Sequence, residues 1–187
     1  LKLPSPFMVI ATQNPIEMEG TFELPEAQRD RFHSKLVVGI PDRTSETQLL
    51  DRFNDEPDLG PEDVERRLSA DDIAEAKAAV AEVHVDPTVR DYVLDVVGAT
   101  RSNADVEFGA SPRAAITYLH AAKARAAIEG RGYVIPDDVK ALGERVLAHR
   151  LVLTTDAELS DVEPREVIRD VLATVTPPDV SDQASTA

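Results

Sequence analysis

The sequence predicts two structural regions, an α/β segment followed by an all-α domain. Two apolar runs, at 7–11 and 35–40, have the length and continuous hydrophobicity of strands that are buried on both faces of a parallel sheet. From Ser69 onward, apolar residues instead recur at helical spacing behind a series of helix-start signals. We therefore expect a small parallel-sheet part that is followed by a helical bundle.

Two helices are predicted within the α/β segment. Residues 25–30 form a short helix, because Pro25 is well suited to a first helical turn. The second helix follows Pro41, is capped by Asp42 or Thr44, and runs to about Phe53. The polar, breaker-rich stretch at 54–61 then predicts a linker.

Each helix of the predicted all-α domain begins at a capping residue or a proline. These starts are Ser69 with Asp72, Asp86-Pro87, Ser111-Pro112, Pro136 and Pro164. The Ala-rich helix after Ser111 is expected to end at Gly130. The resulting division places the α/β part at 1–54, the linker at 55–68, the helical domain at 69–177 and a disordered tail at 178–187.

Composition excludes several classes of protein. The 187 residues contain 35 Asp and Glu against 20 Lys and Arg, and a net charge of −15 opposes general binding to nucleic acids. No apolar run approaches the roughly 18 residues of a membrane span, so we expect a cytoplasmic protein without membrane association. The acidic, lysine-poor composition also favours a salt-rich source, with an ordinary acidic protein as the alternative.

The first candidate site residue is Asn14, directly after the first apolar run. Ligands of parallel sheets bind beyond the carboxyl ends of the strands, where a side-chain amide can orient a water molecule or contact a phosphate oxygen. The alternative is structural, because Asn-Pro is a common turn dipeptide.

Two arginines, Arg29 and Arg31, lie near the C-terminus of the short helix. A cation there is stabilised by the helix dipole, which is a sufficient structural explanation. The functional alternative is an arginine finger, a guanidinium that is presented to the γ-phosphate of a nucleotide on a neighbouring subunit.

The third candidate, Arg113, is predicted in the first turn of the helix that starts at Ser111-Pro112. A cation at this position opposes the helix dipole at a cost of about 0.3–1 kcal/mol. A bound phosphate would offset this cost, and so would an ion pair with a carboxylate.

Other polar residues do not form a recognisable site. The four histidines are scattered without metal-ligand spacing, so no metal site is predicted. The acidic residues between Glu17 and Glu26 have no accompanying base or nucleophile and are expected in a solvated loop.

Taken together, these segments resemble the MoxR family of AAA+ ATPases. The matching stretches are Phe7-Met8-Val9-Ile10-Ala11-Thr12-Gln13-Asn14-Pro15-Ile16-Glu17, Glu19-Gly20-Thr21, Leu24-Pro25-Glu26-Ala27-Gln28, Asp30-Arg31-Phe32, Gly109-Ala110-Ser111-Pro112-Arg113-Ala114, Val139 and His149-Arg150-Leu151. The resemblance implies the C-terminal portion of a P-loop AAA+ core, followed by the family's all-α lid domain.

The resemblance also implies a role for each candidate residue. Asn14 corresponds to sensor 1, Arg31 to the arginine finger and Arg113 to sensor 2, with Arg29 as an alternative finger. The implied cofactors are ATP and Mg²⁺, held by the complete protein. The implied partners are copies of the same protein in a ring, together with von Willebrand A-domain proteins or other clients that the family activates or matures.

The sequence departs from the family pattern in one respect. It contains no G-x-x-x-x-G-K-[ST] loop and no apolar strand that ends in an acidic pair, both of which the family carries ahead of sensor 1. We therefore expect a C-terminal fragment that alone neither binds ATP tightly nor hydrolyses it. A magnesium-chelatase-like motor subunit and a non-enzymatic interaction module are the alternatives.

Overall fold

The computed structural model describes residues 3–14 and 24–179. Four sequence expectations lie wholly or mostly outside these residues: the Pro15-Ile16-Glu17 and Glu19-Gly20-Thr21 stretches of the family resemblance, the acidic loop expected between Glu17 and Glu26, and the greater part of the predicted tail. The described chain is mainly helical. Its α-helices are α1 (Glu26–Arg29), α2 (Arg43–Asp55), α3 (Ala70–Glu82), α4 (Pro87–Arg101), α5 (Pro112–Ile128), α6 (Pro136–Leu147), α7 (Thr155–Leu159) and α8 (Pro164–Thr174). Two short strands, β1 (Val106–Phe108) and β2 (Val152–Leu153), accompany them.

The predicted starts of α2 and α3 are confirmed by their capping contacts. The side chain of Asp42 accepts a hydrogen bond from Ser45 N at 2.8 Å and caps α2. Ser69 N donates to Asp72 Oδ2 at 2.7 Å, and Asp72 N donates to Ser69 Oγ at 3.1 Å, so this pair forms the expected capping box of α3. Satisfying the free N–H groups of the first turn explains why these local signals locate helices well.

The described residues form two compact units. The first comprises 3–8 and 36–76 and contains α2, a 3₁₀ turn at Pro61–Asp63 and the beginning of α3. The second comprises the described parts of 9–35 and 77–179 and contains α1 and all elements from α4 onward. No helix within the described ranges has the length and apolar character that crossing a membrane would require.

The two predicted strands, at 7–11 and 35–40, are not β-strands in the described chain. Their apolar side chains are exposed, with Met8 at 78% and Val38 at 95% of full accessibility. A strand is stabilised by hydrogen bonds with a neighbouring strand, and no described residue provides these segments with such a ladder. The two apolar runs therefore have the amino-acid composition of buried strands but lack the hydrogen-bonded pairing with a neighbouring strand.

The hydrophobic core of the second unit lies among α4, α5, α6 and α8. Its largest fully buried side chains include Tyr92, Tyr118, Leu147 and Ile168. The hydroxyl of Tyr118 donates a hydrogen bond of 2.6 Å to Val139 O, and burial raises the pKa of this phenol. This bond joins α5 to α6 inside the core.

A two-stranded antiparallel sheet corrects the expectation that every element after the linker is helical. Val106 in β1 pairs with Leu153 in β2, and Thr154 N donates to Asp105 O at 2.9 Å. Strands of two and three residues are too short to produce a recognisable alternation of polar and apolar residues. They depend on a contact between segments about 45 residues apart in sequence.

A buried ion pair organises the connection between α5 and α6. Asp138 is 1% exposed and accepts two hydrogen bonds from Arg131, at 2.7 and 2.6 Å. Ile135 N donates to the same carboxylate at 3.0 Å. The bidentate geometry and the backbone donor together compensate the desolvation of Asp138.

We predict opposite effects for two Gly→Ala substitutions. At Gly109, a Cβ atom would lie 2.7 Å from the backbone N and Cα of Arg101, so Gly109→Ala should destabilise the chain by about 1–3 kcal/mol. Gly98 lies inside α4, and beyond its chain neighbours and the local backbone of that helix no heavy atom lies within 4 Å of the added Cβ, so Gly98→Ala should stabilise by roughly 0.5–1 kcal/mol. Urea unfolding of both variants tests this, and equal effects would contradict it.

Candidate functional site

The candidate site is built on the turn that ends α1. Arg31 N donates to Gln28 O at 3.1 Å, and Phe32 N donates to Arg29 O, also at 3.1 Å. These bonds continue the helical path for one more turn beyond Arg29. We call residues Asp30, Arg31 and Phe32 the Asp30 turn.

The carboxylate of Asp30 joins this turn to two parts of the helical domain. The hydroxyl of Ser111 donates to its two oxygens at 2.9 and 3.0 Å. Arg150 Nη1 donates to Asp30 Oδ1 at 2.7 Å. Because Ser111 is the N-cap of α5, and its Oγ also accepts from Ala114 N at 3.2 Å, Asp30 lies at the beginning of this helix.

Arg150 is the buried partner in this arrangement, with only 7% of its surface exposed. It lies in a 3₁₀ turn after α6, where its Nε donates to Val146 O at 2.8 Å. Its Nη1 also donates to Asp30 O at 2.7 Å, and its Nη2 donates to Phe32 O at 2.7 Å. Burial lowers the pKa of Arg150 and the Asp30 carboxylate opposes that shift, so the buried charge is compensated.

His149 makes a further contact with the Asp30 turn. Its Nε2 lies 3.2 Å from Phe32 O, and a carbonyl oxygen only accepts, so Nε2 carries the hydrogen in this bond. Nδ1 is buried and has no hydrogen-bond partner among the described residues. A proton on Nδ1 would be poorly solvated, and burial accordingly lowers the pKa of His149, against the opposing effect of the Phe32 hydrogen bond.

The structure brings two of the predicted site residues onto neighbouring segments. Arg31 is exposed in the Asp30 turn, and Arg113 is exposed in the first turn of α5, two residues after Ser111. The positive charge of Arg113 contributes to the lowered pKa of Arg150, which indicates that Arg113 lies near this network. No carboxylate among the described residues forms an ion pair with either Arg31 or Arg113.

The other two predicted residues have different environments. Arg29 is half-buried, and its Nε is enclosed without a hydrogen-bond partner among the described residues. Asn14 is exposed, at the end of the described stretch 3–14 and in the same compact unit as Arg31. Within the ranges that the structure describes, no group of three or more His, Cys, Asp or Glu side chains could hold a metal ion.

Sequence reasoning did not predict the pairing of Asp30 with Arg150, or the contact of His149 with Phe32. In each contact the two residues are about 120 positions apart in sequence, and they were recognised only as parts of separate motifs. One signal was available: Arg150 lies in a mainly apolar stretch that includes Leu147, Ala148 and Leu151, and a charge in such a stretch needs a partner.

Two family models match the chain. The model of the ATPase family associated with various cellular activities (AAA) matches residues 1–34, and the AAA lid domain model matches residues 98–171. The second match covers the segment from late α4 into α8. The first includes Asn14 and the Asp30 turn.

Similar proteins support the same assignment. Chaperone MoxR1 of Mycobacterium tuberculosis is 43% identical over 188 residues, which cover 96% of this chain and 49% of that protein. Protein MoxR of Methylorubrum extorquens is 33% identical over 194 residues, which cover 91% of this chain and 55% of that protein. The solved structure of a predicted ATPase from Cytophaga hutchinsonii has a TM-score of 0.87 and 34% identity, covering 96% of this chain and 56% of that one.

The helical fold and the Asp30 turn docked on it are those of the C-terminal portion of a P-loop AAA+ core with its lid. Among such ATPases, the chain belongs to the MoxR family. It spans about half the length of the curated relatives that it matches.

We predict that His149 makes the stability of the chain depend on pH. Because its pKa in the folded state is lowered below the ordinary 6.5, the unfolded chain takes up a proton first as the pH falls. The free energy of unfolding should therefore decrease below about pH 6.5. His149→Gln keeps an N–H donor for Phe32 O without titrating, so urea unfolding at several pH values should show a smaller decrease. An unchanged pH dependence in this variant would contradict the prediction.

Proposed function

We propose that this chain is the nucleotide-responding C-terminal part of an ATPase that couples ATP hydrolysis to chaperone-like activation or maturation of client proteins. The single observation that carries the proposal is the pair of exposed guanidiniums, Arg31 and Arg113, on segments joined by the Asp30–Ser111 hydrogen bonds. Two permanent cations without carboxylate partners among the described residues suit a polyanion such as a nucleotide phosphate chain.

Arg31 is proposed as the arginine finger. An exposed guanidinium beyond the end of a helix can extend toward a nucleotide on a neighbouring subunit, where it stabilises charge that develops on the transferred phosphoryl group. This role requires a second copy of the protein, and we propose a ring-forming homo-oligomer. The half-buried Arg29 is less suitable, because its Nε is already enclosed within its own subunit.

Arg113 is proposed as sensor 2, a lid arginine that contacts bound nucleotide. Its place in the first turn of α5 opposes the helix dipole, and no described carboxylate forms an ion pair with it. A phosphate would be stabilised both by the guanidinium and by the positive end of the helix. Occupation of the site by phosphate would then stabilise one position of the lid.

Asn14 is proposed as sensor 1, and its exposed amide suits the placement of a water molecule beside the terminal phosphate. ATP would be bound with Mg²⁺ by the complete protein. The described residues contain no metal-ligand cluster, so we assign none of them to the ion. This chain alone is expected to show neither tight ATP binding nor turnover.

The proposed domain division keeps 1–54 as core, 55–68 as linker, 69–177 as lid and 178–187 as tail. Movement of the lid would transmit the state of the nucleotide to a client. We propose von Willebrand A-domain proteins or other client proteins as partners, following the family resemblance. The net charge of −15 disfavours nucleic acids.

Substitution of the two arginines in the complete protein tests this function. Arg31→Ala should lower kcat by a factor of about 10³ while ATP binding persists, because the finger acts on the transition state. Arg113→Ala should weaken nucleotide binding, turnover or both. Steady-state ATPase assays and nucleotide titrations measure these effects.

Arg90→Ala provides a matched control, because Arg90 is an exposed arginine on α4 whose closest carboxylate is Asp91 at 3.9 Å. This variant should retain normal turnover. If Arg29→Ala, rather than Arg31→Ala, abolished turnover, the finger would be Arg29. The proposal would be overturned if neither Arg31→Ala nor Arg113→Ala altered the reaction.

A further inference from the structure

We propose that Arg150 is a positioning residue, which holds the Asp30 turn on the lid and thereby sets where Arg31 is presented. The proposed effect of Arg150 on turnover rests on the finger role proposed for Arg31. The proposal that Arg150 holds the Asp30 turn does not depend on that role. The side chain of Arg150 is 1% exposed, so it acts on a neighbouring subunit only through the turn that it holds.

The planar guanidinium connects three points of the chain at once. Nε donates to Val146 O at the end of α6, while Nη1 donates to the carbonyl and carboxylate of Asp30 and Nη2 donates to Phe32 O. All four donor–acceptor distances are 2.7–2.8 Å. The acceptors lie on both sides of Arg31 in sequence, so the backbone of this residue is held at each end.

A lysine cannot reproduce this arrangement. Its ammonium group is a single point of donation on a flexible stem, whereas the guanidinium presents its donors in a rigid fork. Arg150→Lys therefore keeps the charge but cannot reach Val146, Asp30 and Phe32 together. This difference separates positioning from simple charge balance.

The same carboxylate also connects the turn to the helix of Arg113. Asp30 accepts from Ser111, the N-cap of α5, in addition to Arg150. A displacement of the α5 N-terminus would therefore act on the Asp30 turn through this shared acceptor. The C-terminal end of α6, through Arg150, and the N-terminal end of α5, through Ser111, together determine the position of Arg31.

Hydrogen exchange in this 187-residue chain tests the hold on the turn directly. The amides of Arg31 and Phe32 are hydrogen-bonded within the turn, so their exchange reports its order. We expect exchange at least about tenfold faster in Arg150→Gln and in Arg150→Lys, with protection in α4 and α5 unchanged. Arg169→Gln is the control, because it removes an exposed lid ion pair with Glu144 that does not touch the turn.

Asp30→Asn keeps the test decisive if the Arg150 variants do not fold. This change leaves Arg150 its three carbonyl acceptors and replaces the carboxylate with a neutral amide, which still accepts a hydrogen bond but no longer compensates the buried charge. Faster exchange of the turn is therefore again expected. Unchanged exchange in Asp30→Asn and in every folded Arg150 variant would overturn the proposal.

Kinetics of the complete protein test the consequence for turnover. Arg150→Lys should lower kcat by about tenfold to a hundredfold, as expected of a displaced catalytic group, with KM for ATP changed by less than about twofold. If the variant merely contained less folded protein, the number of nucleotide-binding sites would fall by the same factor as the activity, and the kcat per binding site would be unchanged. Normal kcat in Arg150→Lys, in a protein that Arg31→Ala inactivates, would overturn the positioning role in turnover.

Arg31→Ala, measured in parallel, separates the two proposals. If this variant retained full turnover, the finger role would fail, while the exchange experiment would still decide whether Arg150 holds the turn. If Arg31→Ala is inactive and the Arg150 variants show both faster exchange and lower kcat, both proposals are supported.

Discussion

A buried guanidinium imposes a strict condition on the chain around it. Arg150 has lost its hydration, and its donors must be satisfied by protein acceptors, or the desolvation of the charge would be uncompensated. Those acceptors come from the end of α6 and from the Asp30 turn, about 120 residues away in sequence. Docking of the turn and burial of Arg150 therefore depend on each other.

The charges at the surface contrast with this buried pair. A net charge of −15 repels an anionic nucleotide at long range, so any affinity for phosphate must arise from groups within a few ångströms of it. Arg31 and Arg113 are such groups, because both are exposed and neither is paired with a described carboxylate. Asp30, the acidic residue nearest to Arg31 in sequence, is instead occupied by Arg150 and Ser111. The buried pair thus keeps a neighbouring carboxylate from neutralising the exposed arginine.

The apolar segments at 7–11 and 35–40 show how far composition alone determines structure. Their residues are suited to a buried sheet, yet in the described chain they are exposed and unpaired as strands. A helix contains its own hydrogen-bond partners, and α2, α3, α4, α5, α6 and α8 begin where a capping residue or a proline predicts. A strand has no such independence, because its partners lie elsewhere in a sheet. The short β1–β2 pair, which was not predicted, depends on distant contacts in the same way.

The sequence by itself determined the helix starts, the family and the residues Asn14, Arg31 and Arg113 as candidates, because capping signals and motifs are local. The tertiary structure alone decided that Arg31 and Arg113 lie on segments joined through Asp30, that Arg29 is half-buried, and that Arg150 is the partner of the turn. These facts depend on which distant segments meet, and on the need of a desolvated charge for acceptors. No spacing along the chain contains that information.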